Sequence, residues 1–266
     1  MQDYLIAAIL GIVEGVTEFL PISSTGHLIL AENLLGVKGS NWDTFEVMIQ
    51  LGAILAVVVV YFNKLWTTLI RLPSDPQARH FALLLLVALI PSLILGALFG
   101  SKIKALLFNP LTVGIALIVG GLIILLVENL SRKVEHMEAD KLPLKTGALI
   151  GLAQAVSMIP GTSRSAATII GGLLLGLDRK AATEFSFYLA IPTMAAAFTY
   201  EAFKNRHEMD FSSIGVIGVG FVVAFISALL VIRPFLGFIS KYGFAPFAYY
   251  RVFLGTLVIA LLYFGR

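Results

Sequence analysis

Apolar residues run in stretches of about 18 to 22 along nearly the whole chain, separated by short polar or proline-bearing segments. Runs of that length cross the hydrocarbon core of a bilayer as helices. Six are continuous, at roughly 44–62, 80–99, 110–128, 181–202, 213–232 and 247–265, each bounded by charge or proline. Two others, about 4–36 and 146–177, are broken in the middle by Pro and a Ser/Thr/Gly cluster. Irregular backbone at membrane depth needs protein or a water-filled cavity to satisfy its polar groups, so these two are predicted to be re-entrant helix-loop-helix hairpins buried in the bundle. The pattern predicts an all-α polytopic membrane protein with six transmembrane helices, two re-entrant hairpins and one integral-membrane domain over 1–266.

The two broken hairpins repeat one another. Gly11-Ile12-Val13-Glu14-Gly15-Val16-Thr17 aligns with Gly151-Leu152-Ala153-Gln154-Ala155-Val156-Ser157 at an offset of 140. Pro21-Ile22-Ser23-Ser24-Thr25 follows against Pro160-Gly161-Thr162-Ser163-Arg164 after a one-residue gap, and Phe45 matches Phe185. Asn109-Pro110 likewise matches Ala245-Pro246. Each half, about 1–128 and 146–266, holds one broken hairpin and three crossings, and an odd number of crossings inverts the second half relative to the first.

Composition sharpens this picture. The chain is 58% hydrophobic and 13% charged, where soluble domains carry about 25% charged residues. The first apolar run has no basic leader and no small-residue cleavage site, so it reads as mature protein rather than signal peptide. No cysteine is present, which excludes disulfides, thiolate metal sites and cysteine nucleophiles. The net charge of +3 is small and its basic residues sit in short loops beside apolar runs, a pattern of membrane topology and anionic lipid contact rather than nucleic-acid binding. Eleven loop Lys and Arg residues fall on one side (Lys64, Arg71, Arg79, Arg132, Lys133, Lys141, Lys145, Arg179, Lys180, Arg233 and Lys241) and six on the other (Lys38, Lys102, Lys104, Lys204, Arg206 and Arg266). The richer side is expected to be cytoplasmic, with both termini and the mouth of the first hairpin outside.

The chemistry lies in the breaks. Glu14 and Glu18 are four apart and share a helix face. Two carboxylates at membrane depth repel, so either one stays protonated or a divalent cation, Mg²⁺ or Ca²⁺, holds both ionised. Even lenient insertion scales charge about 2.5–3.5 kcal/mol for a buried ionised acid, which makes each a functional-site hypothesis. Ser23-Ser24-Thr25-Gly26 forms a polar turn before a second half-helix expected at about His27. Its amides and hydroxyls suit an anion at a helix N-terminus. Ser24 precedes His27 by three, bringing hydroxyl and imidazole to one side. That is the pattern of a nucleophile beside a base, and His27 itself attacking or donating a proton is the alternative. In the second break, Arg164 requires an anionic partner, a phosphate or one of the glutamates, and Gly161, Thr162, Ser163 and Ser165 could complete an anion cradle.

Weaker signals are Asp43, Glu46, Gln50, Glu184 and Ser186 as an entrance lining, and Trp42, Trp66 and the tyrosines as interfacial belts. His80, His136 and His207 read as solvated loop residues. Gly120-Gly121 and Gly171-Gly172 are expected to permit close helix packing.

The segments Glu14-Gly-Val-Thr-Glu18-Phe-Leu-Pro-Ile-Ser-Ser-Thr-Gly-His27 and Pro160-Gly-Thr-Ser-Arg164-Ser resemble the two signatures of the bacterial undecaprenyl pyrophosphate phosphatase family, the bacitracin-resistance type. The likeness runs over essentially the whole chain, with Ala166 where the family pattern has Gly. The resemblance implies removal of one phosphate from undecaprenyl pyrophosphate, recycling the lipid carrier for cell-wall synthesis with a divalent cation. It also implies an inner-membrane location and a site open to the periplasmic side. Carried over, the site is Glu14 and Glu18 for metal or proton, Ser24 or His27 as attacking group or its base, and Arg164 against the pyrophosphate. From the residues themselves, Ser23, Thr25, Gly161, Thr162, Ser163 and Ser165 are expected to bind substrate. Ser24-Thr25-Gly26-His27 also looks like an element of the other lipid phosphatase superfamily, but its further motifs are unmatched: Arg233-Pro234 has Ile226 where a Lys is required. A secondary transporter or polyprenyl-lipid flippase is the competing reading, since inverted repeats with broken helices are transporter architecture. The partners expected are a polyprenyl pyrophosphate lipid and the membrane, with no nucleic acid, and a homodimer is left open.

Overall fold

A computed structural model describes residues 1–37, 41–130, 138–204 and 214–264. Among them the regular structure is helical: α1 (Gln2–Thr17), α2 (Ser24–Leu35), α3 (Asn41–Val60), α4 (Phe62–Arg71), α5 (Pro76–Leu107), α6 (Pro110–Asn129), α7 (Leu144–Ala155), α8 (Arg164–Leu174), α9 (Arg179–Lys204), α10 (Ile214–Tyr242) and α11 (Ala245–Phe264). Each continuous apolar run falls in one helix: α3, α5, α6, α9, α10 and α11. Four of these, α5, α6, α10 and α11, are long and apolar enough to cross a membrane. A fifth candidate is α3 with α4, bent by 75° at Tyr61. The 26-residue α9 falls short of the same test because Thr183, Glu184, Ser186 and Thr193 dilute its apolar character.

Both broken runs are pairs of short helices. At 16, 12, 12 and 11 residues, α1, α2, α7 and α8 reach at most about 24 Å at ~1.5 Å per residue, less than a ~30 Å core. The break starts earlier than proline alone suggests: α1 stops at Thr17, with Glu18 as its cap, and α2 starts at Ser24 rather than near His27. The side chain of Ser23 sets that start by accepting from the Gly26 amide at 3.3 Å.

The halves pack by exchange. α1 lies along α10 of the other half, and α7 lies reciprocally along α5. Glycines make these approaches possible. A Cβ on Gly11 would sit 2.6 Å from the Gly220 carbonyl oxygen, and Gly151, its repeat counterpart, faces the Ala88 backbone in the same way. α6 packs along α11, where a Cβ on Gly121 would lie 2.8 Å from the Ala248 carbonyl oxygen. One on Gly171 would lie 2.8 Å from Ala153 Cβ, so both glycine pairs serve close packing. The core between the halves is aromatic, with Phe19, Phe185, Phe187 and Phe244 buried.

α4 leaves the bundle. Phe62, Trp66, Leu69 and Ile70 form one exposed apolar face, while Lys64 on the other side pairs with Asp140. Such a helix suits the interfacial zone, in keeping with Trp66 as a belt residue; Trp42 instead packs edge-on to Phe45 at 4.9 Å. His80 is not a solvated loop residue. It sits in the first turns of α5, half-buried, bonded through Nε2 to the Leu142 carbonyl at 2.8 Å. His136, His207, Lys38, Arg132, Lys133, Arg206 and Arg266 lie outside the described residues, as do the side chains of Asp43, Lys104 and Lys204.

Replacing Gly11 with Val should push α1 off α10 and lower the unfolding temperature in detergent, by the ~1–3 kcal/mol typical of overpacking. Gly218→Ala, where an added Cβ meets nothing within 4 Å, should leave thermal unfolding in place.

Candidate active site

The site is built where the two breaks meet. Ser23 and Ser163 both take a left-handed backbone, φ 71° and 74°, and both cap the helix that follows, Ser163 by accepting from the Ala166 amide at 3.2 Å. Non-glycine residues there cost about 1–3 kcal/mol and persist only where the surroundings hold them. Their equivalence sets the repeat register at the caps to the same offset of 140, without the gap, so Ser24 corresponds to Arg164 and Thr25 to Ser165.

What holds the breaks is Arg251, seven residues into α11 and 0% exposed. Its guanidinium donates from Nη1 to the Pro21 and Thr162 carbonyls at 3.0 and 2.9 Å. From Nη2 it donates to Ala116 and Gly161 at 3.1 Å each, and from Nε to Leu117 at 3.3 Å. One planar fork thus ties both breaks to α6. Gly120 leaves room for the guanidinium, and Gly161 (φ 89°) packs so close to Val113 that a Cβ would lie 2.7 Å from its carbonyl oxygen. Ser165 adds a bond across the breaks, Oγ to the Leu20 carbonyl at 2.8 Å.

Above this clasp lie the functional groups. Ser24 Oγ donates to Glu18 Oε2 at 2.6 Å, and Arg164 Nη2 pairs with Glu18 Oε1 at 3.1 Å. Arg164 Nη1 donates to the Ser186 carbonyl of α9 at 2.9 Å. The Ser186 hydroxyl accepts from Thr168 at 2.7 Å, so Ser186 supports Arg164 from behind. The Phe19 ring lies 5.9 Å from the guanidinium carbon. His27 does not bond to Ser24: its Nδ1 contacts the Ser23 carbonyl at 2.7 Å and its Nε2 the Tyr250 hydroxyl at 2.6 Å. The hydroxyl beside a base is therefore Ser24 with Glu18.

Glu14 is fully buried, and among the described residues neither of its oxygens has a hydrogen-bond partner. Its repeat counterpart Gln154 is equally buried but satisfied, its amide donating to Ser92 and Thr193 hydroxyls at 2.9 and 3.2 Å. Arg164 Nε is also buried and unpartnered. Two acceptors without a donor and one donor without an acceptor therefore lie in one site, a demand that a cation and an anion together would meet. Glu14 is also within electrostatic reach of Glu18, Glu46 and Arg164.

The remaining expected residues are present with internal roles. Gly161 and Thr162 turn their carbonyls to Arg251, and the Ser163 and Ser165 hydroxyls bond each other at 3.0 Å. Thr25 lies half-buried on the first turn of α2. Arg251 and Tyr250 are residues of the candidate site that sequence reasoning passed over, Tyr250 having been placed among the interfacial tyrosines. An arginine within an apolar span is the signal that marks Arg251.

A family model described as BacA, bacitracin resistance protein BacA, matches residues 7–257. The chain belongs to the BacA family. Relatives named undecaprenyl-diphosphatase are similar along their whole length. The protein from Bradyrhizobium diazoefficiens is 50% identical over 268 residues, covering 100% of both chains. Those of Nitrobacter winogradskyi and Caulobacter sp. strain K31 are 49% and 46% identical, again over 100% of each chain. The match spans both breaks and the Arg251 that binds them together.

Arg251→Ala should leave buried carbonyls in both breaks unpaired, at about 1–3 kcal/mol each, and lower detergent unfolding temperature more than any single change at Ser24 or His27. Arg251→Lys, with a charge but no planar fork, should recover only part of the loss in the same melts.

Proposed function

We infer that the protein hydrolyses undecaprenyl pyrophosphate to undecaprenyl phosphate and phosphate. The observation that carries this reading is the pair of opposite demands in one buried site, the unpartnered Glu14 carboxylate and the unpartnered Arg164 Nε, in a chain whose full-length relatives are named undecaprenyl-diphosphatase. A transporter or flippase reading has no observation that favours it over hydrolysis.

In the proposed reaction, the terminal phosphate sits at the N-termini of α2 and α8, where helix dipoles and first-turn amides favour an anion, and against Arg164. Thr25 and the turns holding Ser23, Gly161, Thr162, Ser163 and Ser165 shape that seat. Ser24 Oγ attacks the terminal phosphorus as its proton passes to Glu18 Oε2, already 2.6 Å away. The bond from phosphorus to the bridging oxygen breaks, and undecaprenyl phosphate departs with the electron pair. A water then attacks the phosphoserine, its proton taken by His27, and Ser24 regains its own from Glu18 as phosphate leaves.

Glu14 and Glu18 fit a divalent cation, Mg²⁺ or Ca²⁺, in the sense that Glu14 lacks any partner. No group of three or more acidic or histidine side chains able to hold a metal converges among the described residues, so the remaining ligands would be phosphate oxygens and water, as Mg²⁺ accepts. When bound, the ion supplies neutralisation of the phosphate charge.

We further propose the full topology: six crossings and two re-entrant hairpins in inverted repeats, in the bacterial inner membrane, with the site open to the periplasmic side. The reciprocal packing of α1 on α10 and α7 on α5 supports the inversion, and the loop charge supports the orientation. Cysteine accessibility labelling at Lys145 and Lys102 tests it, with Lys145 expected inside and Lys102 outside. The mass of the solubilised particle distinguishes monomer from homodimer.

Phosphate release from undecaprenyl pyrophosphate by purified protein tests the chemistry. Ser24→Ala, Glu18→Gln, His27→Ala and Arg164→Ala should each slow it by ~10²-fold or more. Chelation should stop release and added Mg²⁺ or Ca²⁺ restore it. Unchanged turnover in all four variants would overturn the site, and no release by wild type alongside lipid movement in vesicles would favour transport.

A further inference from the structure

His27 is held at both ring nitrogens. The Ser23 carbonyl, 2.7 Å from Nδ1, can only accept, so Nδ1 carries a proton. In a neutral imidazole Nε2 is then the acceptor, and the Tyr250 hydroxyl at 2.6 Å is its donor. The rings are also near-parallel and offset, centroids 5.5 Å apart and planes 10° apart. The partners come from opposite ends of the chain, His27 from α2 and Tyr250 from α11, one residue before Arg251, whose five bonds fix that stretch of α11 against the breaks. Tyr250 is 41% exposed, which puts its hydroxyl at the rim of the site.

We propose that Tyr250 is a positioning residue for the hydrolysis, selecting the His27 tautomer that bears its proton on Nδ1 and keeping Nε2, which its hydroxyl covers, as the unprotonated and basic nitrogen. This rests on the reading of the site as a phosphatase centre. Free imidazole tautomers differ little in energy, so without a donor on Nε2 the ring can carry its proton there and present no lone pair to water. The Ser23 carbonyl alone does not prevent this, because the ring can rotate once its other end is released. Tyr250 therefore acts through His27 by deciding which nitrogen is basic, and its hydroxyl turns aside from Nε2 when that nitrogen takes the water's proton.

The test is Tyr250→Phe, which keeps the ring stacked on His27 and removes only the hydroxyl. Nitrogen chemical shifts of ¹⁵N-histidine-labelled protein in detergent report which nitrogen is protonated, and the His27→Ala spectrum assigns the signal among the four histidines. Wild type should show His27 protonated on Nδ1, and Tyr250→Phe should move the signal toward the other tautomer. In phosphate release, kcat should fall about tenfold, the scale of one hydrogen bond, with KM changed less than about twofold. Tyr249→Phe, at an exposed neighbouring ring, should match wild type in both readouts. A wild-type proton on Nε2, a Tyr250→Phe spectrum like wild type, or a shifted tautomer with undiminished kcat would each overturn the proposal. If wild type releases no phosphate, the phosphatase reading falls, while the nitrogen shifts still decide whether Tyr250 sets the tautomer.

Discussion

The structure depends on one buried guanidinium. A helix broken at membrane depth exposes carbonyls and amides that no lipid can satisfy, at several kcal/mol apiece. Here two helices are broken in adjoining places, and Arg251 answers both by donating to carbonyls of Pro21, Gly161 and Thr162 as well as two on α6. An arginine serves where a lysine would not, because its donors are spread in a plane and stay charged. Among the described residues the charge meets no carboxylate, so the oriented carbonyl dipoles compensate it. That arrangement fixes the distance between the two breaks, and through it the distance between Glu18 on one and Arg164 on the other.

The two halves begin from one plan and differ where chemistry requires it. At the caps the backbones coincide, Ser23 with Ser163, down to a left-handed φ that ordinary side chains avoid. Nine positions before the cap, the first half carries Glu14 and the second Gln154. The amide is neutral and finds Ser92 and Thr193; the acid finds nothing. One position after the cap, the first half carries Ser24 and the second Arg164, and both converge on Glu18 from opposite oxygens. A two-fold arrangement of identical hairpins would place like charges against each other. Divergence at these positions leaves the acids and the Ser24 hydroxyl on one hairpin and the cation on the other, the juxtaposition on which the proposed phosphatase reading rests.

Much of this was legible in the chain itself because breaking a helix in lipid demands conspicuous residues. Proline with Ser, Thr and Gly inside apolar runs marked both breaks, and ionisable side chains at membrane depth marked Glu14, Glu18, His27 and Arg164. Helix periodicity could not tell which partner Ser24 would choose. The spacing to His27 suggested an imidazole, whereas the turn through 18–23 folds Glu18 back onto the hydroxyl. The cap geometry also moved the start of α2 forward to Ser24, since a side-chain cap rather than the proline decides where a helix begins. Arg251 was hidden by company: beside Tyr249 and Tyr250 near the start of a span, it looks like part of an interfacial belt. Its role comes from contacts more than 130 residues apart in sequence with Leu117 and Pro21, which no local pattern carries. α9 illustrates the opposite failing, since its polar residues weaken it as a span by composition while Thr183 and Ser186 are buried inside the bundle.

The unsatisfied groups are the last step in the logic. Buried polar atoms without partners are scarce because each costs stability, and Gln154 shows a satisfied side chain at the equivalent position. Glu14 and Arg164 Nε are left unpaired in a region where Arg251 and Ser165 satisfy the surrounding backbone. The clasp makes that possible: with the breaks held from below by α11, the groups above them need not contribute to holding the fold. Stability comes from one side of the breaks, and the other side keeps the unpaired groups that the proposed reading assigns to a charged ligand.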